Sequence, residues 1–140
     1  MLIGYCLSLN GPMVMTQKSG TQTQADALEE RLVAFAVTVI QLTNEIAGSF
    51  AGKHVASQLI RSGTSPAPNY AEARSAESRA DFIHKLRIAI KELNETAIWL
   101  RIVERSKLSK SIAVGSIAGE CDELKRILGA SLRTARLRSQ

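Results

Sequence analysis

Two prolines set into an otherwise helical pattern constrain this chain more than any other feature. In the run from Gln58 to Ala73, Pro66 and Pro68 interrupt an apolar spacing that continues on both sides. Each proline lacks a backbone donor, and its ring clashes with the preceding turn, so a straight, uninterrupted helix is excluded here. Pro66 frees the carbonyl of Ser62, and Pro68 that of Thr64. The hydroxyls of Ser62, Thr64 and Ser65 and the amide of Asn69 lie close enough in sequence to help satisfy what is freed. The second helix is therefore predicted over roughly residues 52–76, kinked near Pro66. Asn69, Tyr70 and Glu72 read either as a polar network holding the kink or as a surface patch. The network (Ser62, Thr64, Ser65, Asn69, Glu72) is favoured because buried backbone groups beside prolines need partners.

The rest of the chain is helical in pattern. Leu28, Leu32, Phe35, Val39, Leu42 and Ile46 recur at threes and fours and predict a first helix over 25–47, ended by Gly48. Ser78-Arg79-Ala80-Asp81 resembles a capping box and starts the third helix. Its core stripe is Phe82, Ile83, Leu86, Ala89, Ile90, Leu93, Ala97 and Leu100. Ile88, Trp99, Ile102 and Val103 fall outside that stripe, on a second face shared with Glu92 and Glu95. An extra apolar seam calls for a second partner, and another subunit is the expected one. Ile88, Glu92, Glu95, Trp99 and Ile102 are thus the candidate oligomer interface, the two acids also suiting ion pairs with Lys91, Arg87 or Arg61. The bland alternative is solvated helix charge. A fourth helix is predicted over 110–135, with Ile117, Leu124, Ile127, Leu128 and Leu132 inward. No alternating strand pattern of useful length occurs. The expected fold is an all-α, antiparallel up-down four-helix bundle.

Of the 140 residues only 4% are aromatic, so the core must be built from Leu, Ile, Val and Ala. Residues 1–24 form an apolar and then polar leader, expected to be disordered; 25–136 form the bundle, and 137–140 a basic tail. The leader has no basic start before its apolar run, so no signal peptide is predicted. No stretch is long and apolar enough to span a bilayer, so no membrane partner is expected. Cys6 and Cys121 are too few for a disulfide framework, and a cytoplasmic location is expected.

The net charge is +5, and the last sixteen positions hold Lys125, Arg126, Arg133, Arg136 and Arg138 with no acid. Residues 1–124 balance. This excess points to an anionic partner, nucleic acid first. Its alternative is compensation of a helix dipole. Arg74 and Arg79, near the turn between the second and third helices, join the five as candidate nucleic-acid-binding residues. Aromatic interleaving for base stacking is absent, so binding is expected to be backbone-led and salt-sensitive.

No catalytic chemistry stands out. Asp81-x-x-His84 is half of a di-metal pattern whose second half is missing, so no metal or other cofactor is expected. Cys121 reads as a small packed residue rather than a nucleophile. There is no phosphate-binding loop and no dinucleotide fingerprint. The chain is expected not to be an enzyme.

An ordered series of motifs carries a resemblance. It comprises Leu59-Ile60-Arg61-Ser62-Gly63-Thr64-Ser65, Asn69-Tyr70-Ala71-Glu72-Ala73, Asp81-Phe82-Ile83-His84-Lys85-Leu86, Ala89-Ile90-Lys91-Glu92, Glu95-Thr96 and Trp99-Leu100. Over about residues 28–136 the chain resembles the bacterial four-helix-bundle family also named for proteins encoded in intervening sequences of large-subunit ribosomal RNA genes. The resemblance implies an up-down bundle assembled as a ring-like homo-oligomer, a pentamer foremost, without enzymatic activity. A related branch, the accessory protein of diversity-generating retroelements, implies nucleic acid and a reverse transcriptase as partners. The functional expectation is a non-enzymatic homo-oligomeric bundle that binds RNA or DNA backbone through the fourth helix and tail. Its alternative is a protein-interaction scaffold with no nucleic-acid role.

Overall fold

The computed structural model describes residues 4–6, 14–16 and 20–138, with side chains from residue 24 onward. Two short strands, β1 (Gly4–Cys6) and β2 (Val14–Thr16), pair antiparallel with Tyr5 opposite Met15. Five helices follow: α1 (Gly20–Ile46), α2 (Phe50–Thr64), α3 (Pro66–Arg74), α4 (Arg79–Ser106) and α5 (Ala113–Leu137). Most of the leader lies outside the described residues, but α1 begins within it, at Gly20. The polar turns ahead of Leu28 add to a helix already nucleated, which costs little per residue.

The helical pattern between 52 and 76 resolves into two helices, α2 and α3, meeting at Ser65. Ser65 itself keeps right-handed helical angles (φ −70°, ψ −33°). Pro66 occupies the first position of α3, where a missing donor is harmless. The polar side chains here bond differently from the sequence expectation. Ser62 Oγ donates to the Gln58 carbonyl at 3.0 Å and Thr64 Oγ1 to the Ile60 carbonyl at 2.6 Å, each one turn back. Asn69 Nδ2 donates to the Ser65 carbonyl at 2.9 Å and to Ser65 Oγ at 3.0 Å, spanning the break. Glu72 is not in this cluster, because its carboxylate turns to Lys85 of α4 at 2.6 Å.

Around one core, α1 packs against α2 and α3 on one side and α5 on the other, and α4 packs against the same helices. The pairs α1–α4 and α2–α5 do not adjoin. The core is aliphatic, as the composition requires, with Leu59, Leu86, Leu93, Leu100, Leu124 and Leu128 fully buried. Val103, placed by the spacing on the outer seam of α4, is fully buried as well. It lies in the last turn, where Leu108 folds back and donates its N–H to the Val103 carbonyl. Phe82, Ile90 and Ala97 pack only at the edge of the core. Two buried hydroxyls join α2 to α4: Thr96 Oγ1 lies 2.9 Å from Ser62 Oγ and 2.8 Å from the Glu92 carbonyl.

Close approach of α1 and α2 depends on two glycines. A Cβ at Gly63 would stand 2.8 Å from Val39 Cγ1, and one at Gly52 would collide with the Ile46 carbonyl oxygen. Ser49 caps α2 by accepting the Gly52 N–H at 3.0 Å. Ser78 caps α4 by accepting from Asp81 N at 3.1 Å, where the capping pattern predicts it. The other end of α4 closes on Lys107, a left-handed residue at φ 55°. That conformation strains any side chain bearing a Cβ. Lys107→Gly is therefore expected to raise stability by about 0.5–1 kcal/mol, read from chemical denaturation.

Candidate functional site

The structure divides the seven candidate cations into two groups. Lys125 bonds Asp122 at 2.9 Å, one turn back on α5. Arg126 grips Glu123 with two hydrogen bonds, at 3.0 and 2.5 Å. That bond raises the Arg126 pKa and holds the Glu123 carboxyl below its ordinary range. Arg74, at the end of α3, reaches back to Asp26 at 2.5 Å and Glu29 at 2.7 Å on α1. The two carboxylates raise its pKa further. Positive charge at these three positions is thus already partnered within the chain.

Arg79, Arg133, Arg136 and Arg138 form the second group. All four are exposed, and among the described residues none has a carboxylate partner. The fold brings them to one end of the molecule. The Arg79 guanidinium, in the first turn of α4, donates to the Arg138 carbonyl just past α5. A shallow cleft there is lined by Arg74, Arg79 and Arg138 together with one acid, Glu77, and by Ser78 and Phe82 among others. Arg87, Lys91, Arg101 and Arg105 on α4 are also exposed and without an ion-pair partner among the described residues.

The outer seam of α4 meets α2 of the same chain. Arg61 of α2 pairs with Glu92 at 3.3 Å and with Glu95, and Gln58 Oε1 accepts from the same guanidinium. Trp99 Nε1 donates to Glu95 Oε1 at 3.2 Å, and its ring meets His54 edge-on with centroids 5.8 Å apart. Of the three basic partners suggested by sequence for the two acids, Arg61 is the one used. With Arg61 half exposed, each ion pair contributes no more than about 1 kcal/mol. Ile88 is half-buried, and Ile102 keeps 38% of its surface exposed.

More open apolar surface lies elsewhere. Val33, Val37 and Ile40 are spaced to share one face of α1 and are 44%, 48% and 42% exposed. Ile60 on α2 is 44% exposed as well. The single-helix reading of the sequence could not find this line, because it tested only the third predicted helix for a second seam.

Cys121 sits at 0% exposure on α5 and donates its thiol to the Leu93 carbonyl at 3.3 Å. Burial pushes its pKa up to about 12. His84 is exposed, and no cluster of three or more metal-ligating side chains occurs among the described residues. In a Cys6→Ser background, native Cys121 is expected to resist thiol reagents at neutral pH and to react only as fast as the fold opens. An unfolded thiol ionises near pH 8.5, so between about 8.5 and 12 the folded state holds the extra proton and stability falls as pH rises. Denaturation midpoints of Cys121 and Cys121→Ala proteins over that range check the slope.

A model of the 23S rRNA-intervening sequence proteins matches residues 28–130. A crystal structure at 1.70 Å of a protein of unknown function from the S23 ribosomal protein family of Bacteroides thetaiotaomicron is also similar. It is 33% identical and superposes with a TM-score of 0.72, over 78% of this chain and 97% of that one. No curated protein matches. No described helix is long and apolar enough to cross a membrane.

Proposed function

Since this chain belongs to the 23S rRNA-intervening sequence protein family, we propose that it is a non-enzymatic, self-assembling helical bundle that binds the nucleic-acid backbone. The observation carrying this reading is the end of the molecule where Arg79, Arg133, Arg136 and Arg138 stand exposed without carboxylate partners among the described residues. Guanidinium groups suit phosphate, and four of them in one region gain strength when the region is repeated around an assembly. The bundle is taken as antiparallel and up-down, and the assembly as a ring-like homo-oligomer, a pentamer foremost. The apolar line of Val33, Val37 and Ile40 supports self-association, because a face of this kind is costly to leave wet. The proposed setting is the cytoplasm, without cofactor or metal.

A second reading keeps the assembly and replaces nucleic acid with a protein partner, such as a reverse transcriptase. The same apolar line favours it. Size exclusion with light scattering, on protein mixed with an RNA duplex of about 20 base pairs, separates the two readings. The expected result is an oligomer that takes up RNA at about 50 mM salt and releases it by about 200 mM. Joint replacement of Arg79, Arg133, Arg136 and Arg138 by Gln is expected to weaken uptake more than about tenfold. An oligomer that ignores RNA at the lower salt would overturn the nucleic-acid reading and leave the scaffold.

A further inference from the structure

Charge on α4 is sorted by face in a way that its sequence order hides. Glu92, Glu95 and Trp99 turn toward α2, as their bonds to Arg61 and contact with His54 establish. Measured from the buried Leu93 at about 100° per residue, these lie on one flank. Arg87, Lys91, Arg101 and Arg105 lie about 80–160° round on the other side, with Asn94 and Ile98 between them. No acid shares that sector. A basic rail therefore runs along the outward face of α4, toward α5.

Helix α5 continues it. Glu120 bonds Arg31 of α1 at 2.6 Å and so marks the flank of α5 that faces α1. Lys125, Arg133 and Arg136 fall on the opposite flank, about 40–120° from the buried Cys121, which turns toward α4. Asp122, already bonded to Lys125, is the one acid in this sector. Seven cations against one acid give the α4–α5 side a charge larger than the +5 of the whole chain.

We infer that the α4–α5 face is the main phosphate-binding surface and that its ligand is a nucleic-acid duplex, the inference resting on the nucleic-acid reading above. The rail is held on one helix, and over the roughly 15 Å between Lys91 and Arg101 its outward face carries no charge, because Glu92 and Glu95 turn to α2. That interval suits the wide groove of a duplex, the major groove of B-form DNA at about 12 Å across or the minor groove of A-form RNA, with the pair Arg87/Lys91 on one backbone and Arg101/Arg105 on the other. Single strands bind on aromatic stacking platforms, and this face presents none: Trp99 is on the α2 flank. Phosphate contacts alone select the regular backbone spacing that a duplex supplies.

Fluorescence anisotropy with three probes tests this: an RNA duplex and a DNA duplex of about 20 base pairs and one of their single strands. The full chain is compared with a rail variant (R87Q/K91Q/R101Q/R105Q) and with the end variant (R79Q/R133Q/R136Q/R138Q). Either duplex is expected to bind at least tenfold more tightly than the single strand. The rail variant is expected to lose about 100-fold at 50 mM salt, and its log–log salt slope is expected to fall by about three to four. Circular dichroism and light scattering confirm that each variant keeps its fold and assembly, and the single substitutions Lys91→Gln and Arg101→Gln, each expected to lose several-fold, serve if the quadruple variant does not. Preference between the two duplexes names the source. Duplex binding unchanged in the rail variant but lost in the end variant would overturn the rail and leave the nucleic-acid reading standing. Equal or tighter binding of the single strand would overturn the duplex assignment. No binding by the unaltered chain would overturn both.

Discussion

Gly52→Ala is expected to destabilise the protein by about 3 kcal/mol, a large effect for one added methyl. Gly52 is buried in the first turn of α2, where its N–H is held by Ser49 Oγ. A Cβ there would occupy the space of the Ile46 carbonyl oxygen, the group that ends α1. That carbonyl is backbone, so relief requires backbone movement in the α1–α2 turn. Opening that turn shifts α2 along its whole contact with α1. The gain in helix propensity from alanine, about 1 kcal/mol, offsets only part of the strain. Gly48→Ala is the control, because nothing lies within 4 Å of a Cβ at that position. It is expected to stay within about 0.5 kcal/mol of the parent. Urea denaturation of both proteins at one protein concentration decides the matter; equal midpoints would show that the turn yields without cost.

Leu93→Ala is expected to lose about 2–5 kcal/mol. Leu93 is fully buried at the middle of α4, and its carbonyl accepts the Cys121 thiol of α5. Truncation removes apolar burial and leaves a cavity between helices that cannot close without moving α4. For a chain of this length each kcal/mol lowers the melting temperature by about 3–5 °C, so a fall of roughly 10 °C or more is expected. Ile90→Ala, at the half-buried edge of the same helix, should fall by less than half as much. A similar loss at both positions would mean that Ile90 is covered in solution, for which a second copy of the chain is the natural cause.

Much of the architecture was legible from residue types alone. The Ser78 cap needs only a local side chain and an N–H three residues on, so sequence spacing locates it. The break near Pro66 follows from covalent structure and holds in any tertiary setting. Leu32, Phe35, Val39, Leu42 and Ile46 were placed inside by periodicity, and all are buried. The misplacement of Val103 has a tertiary cause: seven residues after Thr96, it shares the flank of α4 on which buried Thr96 meets Ser62 of α2. The direction of the Ser62 and Thr64 hydroxyls is a local preference too. A hydroxyl in a helix reaches the carbonyl one turn back more easily than one on its own turn.

Charge was the less legible quantity. Summing by position located the excess on the last helix, yet Lys125 and Arg126 each have an acid three residues before them. That neutralisation could have been read from helical spacing. The α4 rail could also have been drawn on a helical wheel, since Arg87, Lys91, Arg101 and Arg105 share a sector; it was hidden because Glu92 and Glu95 cancel it in the running sum.

The sequence by itself determined the helical pattern, the Ser78 cap, the proline break and the aliphatic core, because each rests on local backbone chemistry or on the period of a helix. Only the tertiary structure decided which charges are spent inside the chain. Arg74 is partnered by Asp26 and Glu29 on α1, and Arg61 by Glu92 and Glu95 on α4, across separations that no local rule spans. Ion pairing falls off within a few ångströms in water, so whether a cation is free depends on which helix the fold sets beside it.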